Sequence, residues 1–204
     1  MKKLFLLLLI SILTLTMFTG CSQPNNNNMN LNKNKNDTVL SAKDTIQPVA
    51  SSSTPIGDFK AQDVKGNQVT KDIFSNYDLT LVNLFTTWCS PCVKEIPELN
   101  EVAKEMANKK VNVVGIVLDV NENGKIDQSK MDKLNKIIEA TKADYTILLP
   151  DEVLRSGPLK GVNSVPETFF VDKNGNIVGE NYLGSHTKEE WIKIINDELA
   201  KLNK

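Results

Sequence analysis

The chain has 204 residues and a formal net charge of −1, with 24 basic against 25 acidic side chains. That balance offers no basic excess for nucleic acid, and the length suits one domain of ordinary size plus whatever the ends add. With 40% hydrophobic residues, the chain can bury a core without depending on disulfides.

The chain begins "MKKLFLLLLISILTLTMFTGC". Two lysines, an apolar run from Leu4 to about Phe18 and small residues before a cysteine are the layout of a secretory signal. An uncleaved anchor is the alternative, since the run is near the lower limit for a membrane span. Phe18-Thr19-Gly20-Cys21 resembles the lipobox of bacterial lipoproteins, with phenylalanine where leucine is usual. That resemblance implies a signal peptide over 1–20 and a lipidated Cys21 as the first mature residue. It also leaves Cys89 and Cys92 as a pair out of an odd total of three.

Eight of the twelve residues from Asn25 to Asn36 are asparagine. So little apolar surface cannot offset chain entropy, and residues 21–53 are expected to form a lipid-anchored disordered tether. Its root-mean-square reach would be on the order of 30 Å. A domain over 54–204 follows.

"FKAQDVKGNQVT" reads as a hairpin turning at Lys65-Gly66-Asn67. "LTLVNLFTT" (79–87) is an apolar run of strand length, the kind buried on both faces of a mixed or parallel sheet. A helix follows from Ser90 to about Asn108, with Val93, Ile96, Leu99, Val102, Ala103 and Met106 on one face. "VNVVGIVLDV" is a second buried strand. "SKMDKLNKIIEAT" is a second helix with Ser129 as its expected cap and Asp132 three residues later. "YTILLP" is a short strand, and "ETFFVDKNGNIVGENYL" a hairpin around Asn174-Gly175. Thr187 and Glu190 form a capping box for a last helix. This order describes an α/β sandwich with a central mixed sheet, flanked by helices and carrying an N-terminal β-hairpin extension. The cysteines fall at the carboxyl end of the first buried strand, where sites form in open α/β sheets.

"TTWCSPCVKEIPEL" (86–99) holds Cys89 and Cys92 two residues apart. A structural zinc needs four ligands, and the chain offers two thiols here and the single His186. A disulfide closing so small a loop removes little entropy from the unfolded chain. Redox exchange remains. At a helix N-terminus the dipole and unpaired amides favour a thiolate, so Cys89 is expected to attack and the deeper Cys92 to resolve. Trp88 either shields the site or simply packs.

"LVNLFTTWCSPCVKEIP" followed by "GVNSVPETFFVDKNGNIV" resembles the thioredoxin fold, and within it membrane-tethered thiol–disulfide reductases of the TlpA/ResA type. The resemblance implies an enzyme without cofactor or metal that acts as a monomer.

 It also implies a position on the extracytoplasmic face of the bacterial cell membrane, held by lipid. Electrons would arrive from a membrane dithiol carrier and leave to extracytoplasmic protein disulfides, in cytochrome c maturation or in reduction of proteins such as methionine sulfoxide reductase. By the same resemblance, Val165-Pro166 matches the family's cis-proline loop and, with Trp88, would bind substrate. Pro97 matches its helix kink. Asn83 stands six residues before Cys89, where ordinary thioredoxins carry a buried aspartate, and Glu95 matches the family's acid near the resolving thiol. The i to i+3 spacing puts Glu95 and Cys92 on one side of the helix, where a desolvated carboxylate would accept the Cys92 proton. A solvated glutamate is the plainer alternative. Glu167, after Pro166, resembles the version in reductases serving cytochrome c assembly.

Other features carry less. "DVNENGKIDQSK" (119–130) matches part of a calcium loop, but Lys130 stands where the bidentate glutamate belongs. His186 is expected to be a solvated residue before a cap. A peroxiredoxin-type peroxidase would want Thr86 where it is, but also an activating arginine, and the only arginine is Arg155. A non-enzymatic copper carrier would space its thiols differently and add a histidine.

Overall fold

The structure is a computed structural model that describes residues 53–202. The expected signal segment 1–20, the lipidation site Cys21 and all but the last residue of the expected tether lie outside the described residues. The described elements are β1 (Thr54–Pro55), β2 (Lys60–Asp63), β3 (Gln68–Thr70), β4 (Leu79–Phe85), α1 (Ser90–Met106), β5 (Val111–Val117), α2 (Gln128–Thr141), β6 (Thr146–Leu149), α3 (Glu152–Ser156), β7 (Glu167–Asp172), β8 (Asn176–Leu183) and α4 (Lys188–Leu202). No helix among the described residues is long and apolar enough to cross a membrane.

The strands form one sheet in the order β1-β8-β7-β4-β5-β6-β2-β3. β4, β5 and β6 run parallel, while β7 pairs antiparallel with both β4 and β8. The expected hairpin of β2 and β3 is no separate appendage: β2 also pairs antiparallel with β6, so the hairpin completes one end of the sheet.

Every residue of β4 is buried, because both faces of the sheet are covered. The alternation of the strand then divides the core. Leu79 and Leu81 pack with Leu99, Val102 and Met106 of α1 and with Trp191 and Ile195 of α4. Phe85 packs with Cys92 and Ile96 of α1 and Leu134 of α2. Val82 and Leu84 point the other way, toward Ile56, Phe59, Phe74 and Leu154 of α3. Asn83 shares the parity of Leu81 and Phe85, which places its side chain on the face that α1 covers.

Local signals set most element ends. Asp172 accepts from the peptides of Asn174 and Asn176, and Gly175 takes a positive φ of 78°, fixing the β7–β8 turn. Thr187 Oγ1 accepts from the Glu190 peptide while Glu190 accepts from that of Thr187, so the expected capping box of α4 forms. The expected cap of α2 is corrected. Asp127, not Ser129, caps it by accepting from the Lys130 peptide, and Ser129 lies inside the helix. The peptide of Asp127 is itself tied to the Val120 carbonyl, which settles where the helix can start. The short helix α3, capped by Asp151, was not signalled by any apolar period.

Candidate active site at the amino end of α1

Parallel β4 ends at Phe85, and α1 begins five residues later, so the chain must turn upward in the stretch Thr86 to Cys89. A buried carboxylate holds this turn. Asp119, just beyond β5, accepts from the Thr87 peptide at 3.0 Å and from the Thr87 hydroxyl at 2.7 Å. Cys89 then takes the N-cap position of α1, its peptide bonded to the Thr86 carbonyl and its sulfur accepting from the Cys92 peptide at 3.2 Å. Pro91 sits in the first turn, where a missing N–H leaves nothing unpaired.

Cys89 and Cys92 are joined as a disulfide, with Cα atoms 5.3 Å apart. Both are buried, Cys92 the more deeply at 1% exposure against 4%. Opposite them stands the loop carrying Val165-Pro166, whose peptide bond is cis. The Val165 carbonyl oxygen lies 3.7 Å from Cys89 Sγ. Trp88 is 66% exposed, so it does not pack as a core aromatic. With Thr86, Leu118, Val162, Ser164 and Val165 it lines an open groove of about 330 Å³ in which no charged side chain takes part.

Glu95 is 2% exposed, which removes the solvated alternative. Its Oε1 accepts from the His186 peptide at 2.8 Å and from Trp191 Nε1 at 3.0 Å. Its Oε2 accepts from Asn83 Nδ2 at 3.2 Å, and the same amide reaches Thr168 Oγ1 at 3.0 Å. Burial pushes the Glu95 carboxyl above its ordinary value, against the pull of the His186 peptide, the Trp191 indole and the Asn83 amide toward the ionised form. Glu95 lies one helical turn after Cys92, the i to i+3 spacing that puts the two on one side of α1.

His186 is corrected from a solvated residue. Its ring packs edge to face on Trp191 with centroids 4.6 Å apart, and its Nε2 is buried. The calcium reading also falls on contacts: Asp119 is bound to Thr87, Asp127 caps α2, and Asn121 bonds the Pro150 carbonyl and Arg155. Arg155 donates to the Leu118 and Asn121 carbonyls and to the Asn121 side chain, so it braces loops and does not face the cysteines. Glu167 accepts from Asn181 across the β7–β8 hairpin. Sequence reasoning missed Asp119 as the anchor of the redox loop, and Trp191 and His186 as partners of Glu95. Asp119 carried one usable signal, an acid at the end of a buried strand adjoining the cysteine strand; the other two carried none.

Comparison with known proteins agrees with this geometry. The AhpC/TSA family matches residues 53–179. The chain is 32% identical over 135 residues to the thiol:disulfide interchange protein DsbE of Haemophilus influenzae, covering 65% of this chain and 67% of that one. It is 29% identical over 142 residues to the thiol-disulfide oxidoreductase ResA of Bacillus anthracis, covering 65% and 69%. Among solved structures, a thioredoxin-family thiol:disulfide interchange protein from Chlorobium tepidum TLS superposes with a TM-score of 0.60 at 24% identity, over 74% of this chain and 99% of that one. The fold is thioredoxin-like.

Proposed function

From the premise that the chain belongs to the AhpC/TSA family and is a thiol–disulfide oxidoreductase of the ResA and DsbE type, we propose that it reduces disulfides of extracytoplasmic proteins. The observation that carries the dithiol-exchange reading is the buried carboxylate of Glu95 one turn after Cys92; the potentials of the two partners set the direction. In reduction, Cys89 attacks the substrate disulfide as a thiolate and forms a mixed disulfide. Cys92 must then lose its proton to attack Cys89, and Glu95 is the base that takes it. Trp88, Val165 and Pro166 bind the substrate segment against the uncharged groove, the Val165 backbone offering strand-like hydrogen bonds.

Electrons return from a membrane dithiol donor, and the enzyme acts as a monomer needing no cofactor. The lipobox supports anchoring through Cys21 on the outer face of the cell membrane, with 1–20 as signal and 21–53 as tether. Cys21→Ser should release a redox-competent domain; a variant that stays membrane-bound after carbonate washing would favour an uncleaved anchor.

Substrates in this reading are apocytochrome c or an oxidised methionine sulfoxide reductase. Offering the reduced protein each disulfide in turn tests it: rapid oxidation of Cys89 and Cys92 by one of them is expected, and no reaction with any protein disulfide would contradict it. The family match and Thr86 favour a second reading, a thiol peroxidase. Arg155 weighs against it, being committed to the Leu118 and Asn121 carbonyls. Fast consumption of hydrogen peroxide by the reduced protein would favour the peroxidase instead.

A further inference from the structure

The two oxygens of Glu95 are not equivalent. Oε1 faces the His186 peptide and the Trp191 indole, and both groups can donate but never accept. A proton placed on Oε1 would meet two N–H groups, whereas the hydrogen-bond donor to Oε2 is the Asn83 amide at 3.2 Å. That amide has its own oxygen, Oδ1, buried with no partner. Turned over, it would present Oδ1 to a proton on Oε2, and the Thr168 hydroxyl can serve either orientation.

Trp191 is the side chain that makes this choice permanent. It is fully buried, and its ring is bracketed by Tyr182 at 6.1 Å and His186 at 4.6 Å, both edge to face. The indole therefore cannot swing away from Oε1. Around Glu95 stand the Asn83 amide on β4, which is bonded in turn to Thr168 on β7, the His186 peptide before α4, and the buried Tyr145 phenol before β6, which senses the Glu95 charge; Cys92 lies one helical turn before Glu95 on the same side of α1. The His186 ring, on the far side of the indole, has Glu190 3.9 Å from its Nδ1.

We propose that Trp191 is a positioning residue for the redox reaction, whose N–H locks Glu95 Oε1 as an acceptor so that Oε2 takes and returns the Cys92 proton. The inference rests on the acid–base reading of Glu95 given above. In the resolving step Cys92 Sγ–H passes its proton to Oε2, and the thiolate attacks Cys89 Sγ. The Cys89–Cys92 bond forms, the bond from Cys89 to the substrate sulfur breaks, and the substrate leaves as a thiolate. Two electrons pass from the enzyme dithiol to the substrate disulfide. When the membrane dithiol donor reduces the enzyme again, Cys92 leaves Cys89 as a thiolate and recovers its proton from Oε2.

The test is the pH dependence of exchange between the full-length protein and dithiothreitol, followed for wild type, Trp191→Phe, Glu95→Gln and the double variant. Trp191→Phe keeps an aromatic ring but removes the N–H. Losing one charge-assisted hydrogen bond should raise the Glu95 inflection by about one pH unit. In the Glu95→Gln background the same change should shift nothing. An inflection unmoved by Trp191→Phe but abolished by Glu95→Gln overturns the role of Trp191 alone. An inflection that persists in Glu95→Gln overturns the acid–base reading and this inference with it. Should Trp191→Phe fail to fold, benzothienylalanine at position 191 replaces the N–H by sulfur at nearly constant shape, and the same two outcomes decide.

Discussion

Asp119 accepts from both the peptide and the hydroxyl of Thr87, two residues before Cys89. Both partners are buried, so the pair ties the turn after β4 to the end of β5 without help from solvent. Thr87→Val leaves a buried carboxylate short of one donor, which should cost about 2 kcal/mol. Thr87→Ser keeps both bonds and should cost less than about 1 kcal/mol. Urea unfolding of the oxidised proteins measures the difference. Equal midpoints for the two variants would mean that the hydroxyl contact contributes nothing.

Glu95 gives stability a definite dependence on pH. Its folded carboxyl is raised above the ordinary value of 4.5, so the folded state holds the proton more tightly than the unfolded chain. The resulting contribution is fully present below pH 4.5 and is lost as pH rises through the folded value. Glu95→Gln cannot lose a proton. Its stability relative to wild type should therefore rise between pH 4 and neutrality, and level off once the wild-type carboxyl is ionised in both states. A flat difference across that range would show that the carboxyl is not raised.

The sequence made the local half of this arrangement readable and hid the rest for one reason, distance along the chain. The apolar runs ending β4 and β5, the turn at Asn174-Gly175 and the capping box of Thr187 and Glu190 are all settled within a few residues of themselves. The cysteine pair and its helix N-terminus belong to this class as well. The partners of Glu95 do not: the His186 peptide is 91 residues away and Trp191 is 96. The contact of Cys89 with the Val165 carbonyl spans 76 residues and was reached through family resemblance, not spacing. The cap of α2 was misplaced at Ser129 because the bond from the Asp127 peptide to the Val120 carbonyl, which sets the start of the helix, joins the loop back to a residue just beyond the preceding strand.

α4 carries Trp191 and is fixed to the sheet through a second buried acid. Glu198 is 1% exposed and accepts from the Tyr182 hydroxyl at 2.7 Å and from Lys201 at 2.8 Å. It fits because Gly179 of β8 has no side chain: a Cβ there would collide with the Glu198 carboxylate, and φ at Gly179 is +70°. Gly179→Ala should destabilise the protein by about 2 kcal/mol or more, combining left-handed strain with the displaced acid. A thermal or urea midpoint unchanged by this substitution would show that α4 adjusts freely.

The central claim is that Cys89 attacks and Cys92 resolves, and trapping measures it most directly. Without its resolving thiol, Cys92→Ala should accumulate substrates joined to Cys89 as mixed disulfides, released only by added reductant. Cys89→Ala should hold few or none, because Cys92 is buried a turn inside α1. Mass spectrometry of the adducts recovered from cells would identify the substrate: a haem-attachment C-x-x-C-H segment would place the enzyme in cytochrome c assembly, and a sulfoxide reductase in oxidative repair. Adducts on Cys89→Ala as abundant as those on Cys92→Ala would contradict the order of attack and the account built on it.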